Sequence, residues 1–192
     1  TNESLYGWMD EGFASYADDR VLAFLNNDTG FASGGAYRSY FSLVKSGKEE
    51  PLTTHADHYN LNAAYSPAVY SKGEVFMEQL GYIVGAPVRD NILLEYYKQW
   101  RFKHPNTTDF IRIAEKMSDM KLDWYKEYWI NSTKTIDYSI DSLWEENGMT
   151  NVRIKRNGLM PMPIDVQLTF KDGSKEMHYV PLDLMYGLKP IE

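Results

Sequence analysis

The sequence has no cysteine, few histidines and no long apolar run, and each absence excludes a class of protein. Without cysteine in 192 residues, disulfides and thiolate metal sites are excluded, so any metal ligand must be His, Asp or Glu. The four histidines are His55, His58, His104 and His178. The apolar runs fall far short of the roughly 20 residues that a membrane-spanning helix needs, which predicts no membrane span in this chain.

Basic residues are fewer than acidic residues in this sequence. Lys and Arg total 20 against 27 Asp and Glu, so the net charge is -7, and no stretch concentrates the basic residues. Binding to phosphates needs a basic surface, so nucleic acid is not expected as a partner. Aromatic residues, by contrast, make up 15% of the chain. Side chains of this size bury large areas, which predicts a packed core.

Helical spacing of apolar residues predicts helices in the first two-thirds of the chain. Ser66 is a favourable N-cap and Pro67 needs no N–H donor at a first helical position, so a helix is expected to begin there and to stop at Gly85. Thr108 is expected to cap another helix. The further helices are expected over residues 5–26, 37–44 and 88–103 and around 122–129.

From Ile136 onward the apolar residues alternate, which predicts strands. The strands are expected around residues 136–140, 152–154, 164–170 and 177–179, with turns at Asn157-Gly158 and Asp172-Gly173. The predicted fold class is therefore α+β, with a helical domain over residues 1–135 and a short antiparallel β segment over 136–192. So thin a sheet needs a partner surface, so we expect the β part to be truncated.

The segment Trp8-Met9-Asp10-Glu11-Gly12-Phe13-Ala14 is the first candidate for chemistry. Taken alone, a glutamate on a helix is usually solvated or ion-paired. The segment, however, resembles the [Asn/Asp]-Glu-Gly-Phe-Ala signature of aminopeptidase N-type zinc metallopeptidases, the gluzincins. The resemblance implies that Glu11 is the third zinc ligand, after the two His of a His-Glu-x-x-His helix. The motif spacing puts the second His about nine residues before Thr1, so we expect the chain to begin between the two halves of the zinc site.

The segment Tyr65-Ser66-Pro67-Ala68-Val69-Tyr70-Ser71-Lys72-Gly73 is the second candidate. It resembles the Tyr-x(4)-Tyr-x-Lys-Gly segment of the same family, which implies that Tyr70 is the catalytic tyrosine and that Tyr65 contacts substrate. The alternative is that Tyr70 packs its ring in the core and points its hydroxyl at water. A neutral phenol is a hydrogen-bond donor at neutral pH, which suits a developing oxyanion. Gly73 is expected to leave space beside the Tyr70 ring.

The resemblance covers residues 1–145 and, more loosely, the β tail. It implies the mostly helical C-terminal half of a thermolysin-like catalytic domain, followed by the start of a β-sandwich. It also implies a zinc-dependent aminopeptidase that removes N-terminal residues from peptides, with Zn²⁺ bound by the full-length protein. The general base and the family's Gly-x-Met-Glu-Asn segment are absent from this sequence, so we expect this fragment to be inactive alone and not to retain zinc.

Other interpretations stay open at this point. The chain could come from a non-catalytic member of the family that serves as a protein-interaction scaffold, or act by itself as a binding module. His55-Ala56-Asp57-His58 offers another metal site, with two His at i and i+3. Truncated surfaces favour self-association. The cellular compartment stays open, and an exported or cell-envelope location is compatible with this sequence.

Overall fold

The computed structural model describes residues 1–185, in which helices come first and strands follow. The chain divides into two compact units, Thr1–Thr133 and a second unit that starts at Lys134. The predicted α+β class is confirmed. The elements are α1 (Glu3–Gly7), α2 (Phe13–Leu25), α3 (Gly34–Ser46), α4 (Asn62–Ser66), α5 (Gly73–Val84), α6 (Ala86–Trp100), α7 (Thr107–Ser118), α8 (Asp123–Trp129), β1 (Tyr138–Glu146), β2 (Met149–Arg156), β3 (Ile164–Thr169), β4 (Lys175–Val180) and α9 (Leu182–Met185).

Aromatic rings in edge-on and tilted contact form the core of the first unit, which we call the helical unit. Trp8 packs edge-on against Phe76, with ring centroids 5.0 Å apart, and Phe76 lies 4.9 Å from Tyr125. The Tyr125 hydroxyl donates to the carbonyl of Phe76 at 2.6 Å, which satisfies the one polar atom of that ring. These side chains are fully buried, together with Trp129 and Phe110. The abundance of aromatic residues in the sequence therefore does supply a packed core.

The helix that contains Ser66 and Pro67 begins earlier than predicted. It starts at Asn62, so Ser66 has helical dihedrals and caps nothing, which makes the predicted start wrong. Pro67 is tolerated inside the run because it is the first residue of a π-helical segment, where the regular bonding pattern is already interrupted. The stop at Gly85 is confirmed, since its φ of +90° ends α5.

The start of α7 also differs from the prediction by two residues. Asn106, not Thr108, is the N-cap. The Asn106 side chain accepts from the backbone N–H of Asp109 at 3.1 Å, and the Asp109 carboxylate accepts from the N–H of Asn106 at 2.9 Å. This reciprocal capping box satisfies two N–H groups that a threonine at position 108 could not reach together.

The second unit, which we call the β unit, contains two antiparallel hairpins, β1–β2 and β3–β4. The predicted turn at Asp172-Gly173 is confirmed, and the Asp172 side chain there accepts from the N–H of Ser174 at 2.9 Å. The turn predicted at Asn157-Gly158 is not a hairpin turn, because it lies in the connection between β2 and β3, which do not pair. Strands β1 and β2 are joined instead at Asn147-Gly148, both of which have positive φ, as a tight hairpin turn requires.

Across residues 1–185, the helices are all too short or too polar to cross a membrane.

Candidate functional site

Both sequence motifs lie on π-helical segments inserted into longer helices. The first π segment, Trp8–Gly12, carries Glu11 and continues into α2; the second, Pro67–Lys72, carries Tyr70 and continues into α5. A π segment adds one residue to a helical turn, which changes the direction of the side chains around it. Such segments occur frequently at functional sites. The two motifs therefore share a backbone irregularity that apolar spacing did not predict.

The two helices cross at a pair of glycines. A Cβ on Gly12 would lie 2.6 Å from Cα of Gly73, and a Cβ on Gly73 would lie 2.8 Å from Cα of Gly12. Because non-bonded carbon atoms need roughly 3.5 Å, neither position admits a side chain. The space at Gly73, expected beside the Tyr70 ring, is filled by the backbone of the first helix. This backbone-to-backbone contact brings the neighbours of the two glycines close together.

Glu11 and Tyr70 meet beside this crossing. The Tyr70 hydroxyl lies close enough to the Glu11 carboxylate for that carboxylate to act on its pKa. Interaction with Glu11, with burial added, raises the pKa of Tyr70 to about 12, because a phenolate would face a carboxylate. The phenol therefore stays neutral, and remains a donor, throughout the physiological pH range. Tyr70 is 37% exposed, so its ring is open to a ligand from solvent.

Tyr65 lies on α4, one turn before Tyr70, in an acidic neighbourhood. A Cβ on Gly7 would lie 3.3 Å from the Tyr65 hydroxyl, which shows how closely α1 approaches it. Burial raises the pKa of Tyr65, and the negative charges of Glu11 and Asp10 raise it further. Tyr65 is thus placed within the electrostatic reach of Glu11.

The histidines do not complete a metal site within the described chain. The rings of His55 and His58 lie 4.8 Å apart, and Nδ1 of His55 accepts from the N–H of Asp57 at 3.1 Å. Among residues 1–185, His, Asp and Glu side chains nowhere gather in a group of three that could hold a metal ion. The alternative site at His55 and His58 thus finds no third ligand there. Glu11 is half-buried at the crossing, and its carboxylate could serve as one ligand of a metal ion. A zinc site needs two or three further protein ligands.

Lys72 is a residue of this site that the sequence did not single out. Its side chain is fully buried and lies 2.7 Å from the Glu49 carboxylate, which is itself almost fully buried. Its ammonium group also donates to the carbonyl of Ser132 at 3.1 Å. A lysine next to a glycine gives no local sign that its side chain will be buried. The only available signal was its place in the second motif.

A buried carboxyl group connects the same two helices further from the crossing. Glu74 on α5 lies near Asp19 on α2 and near Glu78, and its Oε1 is buried without a hydrogen-bond partner. Burial raises the pKa of Glu74 to about 7, and the charges of Asp19 and Glu78 add to that effect. Glu74 is only 4% exposed. The Glu74 carboxyl group therefore changes its protonation state near neutral pH.

Comparison with known proteins identifies the family of the chain. The sequence model of the Peptidase family M1 domain matches residues 6–129, a range that includes Glu11, Tyr65 and Tyr70. A leukotriene A-4 hydrolase homolog from Botryotinia fuckeliana (strain B05.10) is similar, with 24% identity over 116 residues. That match covers 54% of this chain and 17% of the length of that protein. No solved structure shows significant similarity to the chain.

These findings place the helical unit in the class of metallopeptidase domains. Because the family match spans more than half of the sequence, the chain belongs to peptidase family M1. The resemblance drawn from the two motifs is confirmed at the level of the family.

Proposed function

We propose that this chain supplies one zinc ligand, Glu11, and one oxyanion-stabilising donor, Tyr70, to a zinc-dependent aminopeptidase. The single observation that supports the proposal is that Glu11 and Tyr70, each one or three residues from the contact between Gly12 and Gly73, lie close enough for Glu11 to raise the pKa of the Tyr70 phenol. About 60 residues separate the two in sequence, and the contact between Gly12 and Gly73 brings them together.

Zinc is the metal that the family membership implies, and Glu11 is the residue of this chain that would hold it. When bound, the metal would polarise the scissile carbonyl and activate a water molecule. The remaining ligands and the general base would come from a His-Glu-x-x-His helix in the longer protein. On this proposal the present chain alone is inactive and does not retain zinc, because one carboxylate is too few ligands.

Tyr70 acts in this proposal as a hydrogen-bond donor. Its raised pKa keeps the phenol neutral, and its partial exposure leaves the hydroxyl accessible to a substrate carbonyl. As negative charge develops on that oxygen, a donor already in place stabilises the transition state more than the ground state. Tyr65, one turn away, would border the bound peptide.

The test uses the full-length protein with an aminoacyl chromogenic substrate. Tyr70→Phe removes the hydroxyl and keeps the ring, so kcat is expected to fall by about a hundredfold or more while the zinc content stays at the parent level. The matched control is Tyr97→Phe, which removes a hydroxyl from an exposed tyrosine on α6 and should leave both values unchanged. A Tyr70→Phe enzyme as active as the parent would contradict the role of Tyr70.

Glu11 is tested by metal analysis. Glu11→Gln keeps the shape of the side chain but removes its charge, so the zinc content after dialysis should fall together with turnover. The matched control is Glu127→Gln on α8, an exposed glutamate in the same unit. Retention of full zinc by Glu11→Gln would remove Glu11 from the ligand set. A parent protein that holds no zinc and cleaves nothing would favour the non-catalytic scaffold.

A further inference from the structure

The second π segment is held from its buried side by an ion pair. Lys72 is the last residue of that segment, and its side chain has no exposure to solvent. Its ammonium lies 2.7 Å from the Glu49 carboxylate and 3.1 Å from the carbonyl of Ser132. It also faces the ring of Tyr40 on α3 at 6.0 Å. Three separate parts of the helical unit therefore converge on one lysine.

Tyr70 projects from the other side of the same segment. Side chains two positions apart on a helix do not face each other, so Lys72 points inward while Tyr70 is partly exposed. Ser71, between them, donates to the hydroxyl of Ser39 on α3 at 2.9 Å. The contacts of Lys72 and Ser71 thus anchor one side of the π segment in the interior, and Tyr70 lies near Glu11 on the other side.

Burial makes this arrangement costly for a lysine. Loss of hydration lowers the pKa of Lys72, and the charge of Glu49 works in the opposite direction. Buried ion pairs are often no better for stability than apolar side chains of similar size, but they accept only one geometry. A pair whose net contribution to stability is small and whose geometry is strict is suited to fixing a position.

We propose that Lys72 is a positioning residue, whose ion pair with Glu49 fixes the second π segment so that the Tyr70 hydroxyl stays within reach of Glu11 and the substrate carbonyl. The inference rests on the proposed peptidase function and deepens it. Neither Lys72 nor Glu49 touches the reacting atoms, and both act through Tyr70.

The experiment is a mutant cycle in the full-length enzyme. The variant Lys72→Met/Glu49→Leu replaces both buried charges by apolar side chains, so that neither partner is left unpaired. The expected result is a fall in kcat of about tenfold or more, with KM within about threefold and zinc content unchanged. The control Lys126→Met removes a partly exposed lysine on α8, 3.8 Å from Asp123, and should leave kcat unchanged.

The second half of the cycle separates positioning from a general structural effect. In a Tyr70→Phe background the same double replacement should cost less than about twofold in kcat, because the hydroxyl it would misplace is already gone. Equal losses in both backgrounds, or a loss below twofold in the parent, would overturn the proposal.

A measurement on the unmutated enzyme applies even if the double variant does not fold. The backbone amides of residues 69–73 should exchange hydrogen as slowly as those around Leu80 in the core of α5. Exchange about a hundredfold faster would show that the segment is not fixed, and would overturn the inference. If Tyr70→Phe retains full turnover, the proposed function fails, whereas slow exchange at residues 69–73 is measured independently of it.

Discussion

The helical unit has a packed aromatic core, whereas strand β1 of the β unit leaves large apolar side chains exposed. In the helical unit, Trp8, Phe76 and Trp129 are at most 1% exposed. In the β unit, Ile140 is 68% exposed and Leu143 is 64% exposed. The strands of the described part of the β unit form two-stranded hairpins, and such hairpins are marginally stable by themselves.

The difference follows from how each element buries its apolar face. A helix can pack against several neighbours at once, so the helical unit closes around a cluster of aromatic rings. A hairpin has two faces and two edges, and it needs a further layer to cover them. The candidate site lies in the unit with the closed core, which suits a site that depends on fixed distances. The comparison predicts that substitutions will have large effects at the helix crossing and small effects in the hairpins.

The largest effect is expected at the glycine crossing. Gly12→Ala places a methyl group 2.6 Å from the Gly73 backbone, which cannot move without separating the two helices. We expect a loss of about 4 kcal/mol in the free energy of unfolding, measured by urea denaturation followed by circular dichroism. The control is Gly35→Ala, where the nearest atom is the end of the Arg38 side chain at 4.0 Å. If both substitutions cost the same, tight packing at the crossing is not what stabilises the helical unit.

The next effect is a pH dependence centred on Glu74. Its pKa is raised from 4.5 to about 7, so the folded state binds more protons than the unfolded state between these values. Stability therefore falls as pH rises through that window, by about 3 kcal/mol in total, and levels off above it. Glu74→Gln should abolish this fall, as judged by Tm between pH 4.5 and pH 8, whereas Glu127→Gln should keep it. A Glu74→Gln protein with the parent's pH profile would contradict the assignment.

Hydrogen exchange compares the two units directly. The amides of β1 and β2 are expected to exchange at least about a hundredfold faster than those of α5, because a two-stranded hairpin opens locally. Mass spectrometry of peptides from the two regions gives the ratio within one sample. Equal protection would mean that the hairpins are covered by another surface, and the contrast between the units would disappear.

The smallest effects are expected at surface ion pairs. Asp90→Asn breaks a two-pronged pair with Arg20 on the helical unit, where the distances are 2.7 and 3.2 Å, and should cost about 1 kcal/mol. Asp141→Asn loosens a 4.0 Å pair with Arg153 on β1–β2 and should cost a few tenths of a kcal/mol at most. Thermal unfolding at low and high salt checks both, since screening reduces such pairs. A larger cost for Asp141→Asn would reverse the comparison.

Much of the element order could be predicted from the sequence. Apolar periodicity indicated the helices and the strands because it reflects which face is buried. The helix end predicted at Gly85 and the turn predicted at Asp172-Gly173 were correct, because both depend on local backbone preferences. The helix start at Ser66, the cap at Thr108 and the hairpin turn at Asn157-Gly158 were wrong, and only Thr108 had a stronger local alternative. At α7 that alternative was Asn106, whose capping box with Asp109 satisfies two backbone groups.

The candidate site was predictable only in part. Glu11, Tyr65 and Tyr70 were selected from two short motifs, and their catalytic and binding roles remain predictions. The π segments were not foreseen, because one added residue does not disturb an apolar pattern enough to be detected. The pairing of Lys72 with Glu49 was not foreseen either, since nothing near either residue indicates burial.

By itself, the sequence determined the kind and order of the elements, the packed aromatic core and the family, because these follow from local patterns and motifs. Only the tertiary structure decided that Glu11 and Tyr70 lie close together. The physical reason is that their separation depends on how closely two helices can approach. That approach is set at Gly12 and Gly73, where the absence of two side chains lets backbone meet backbone.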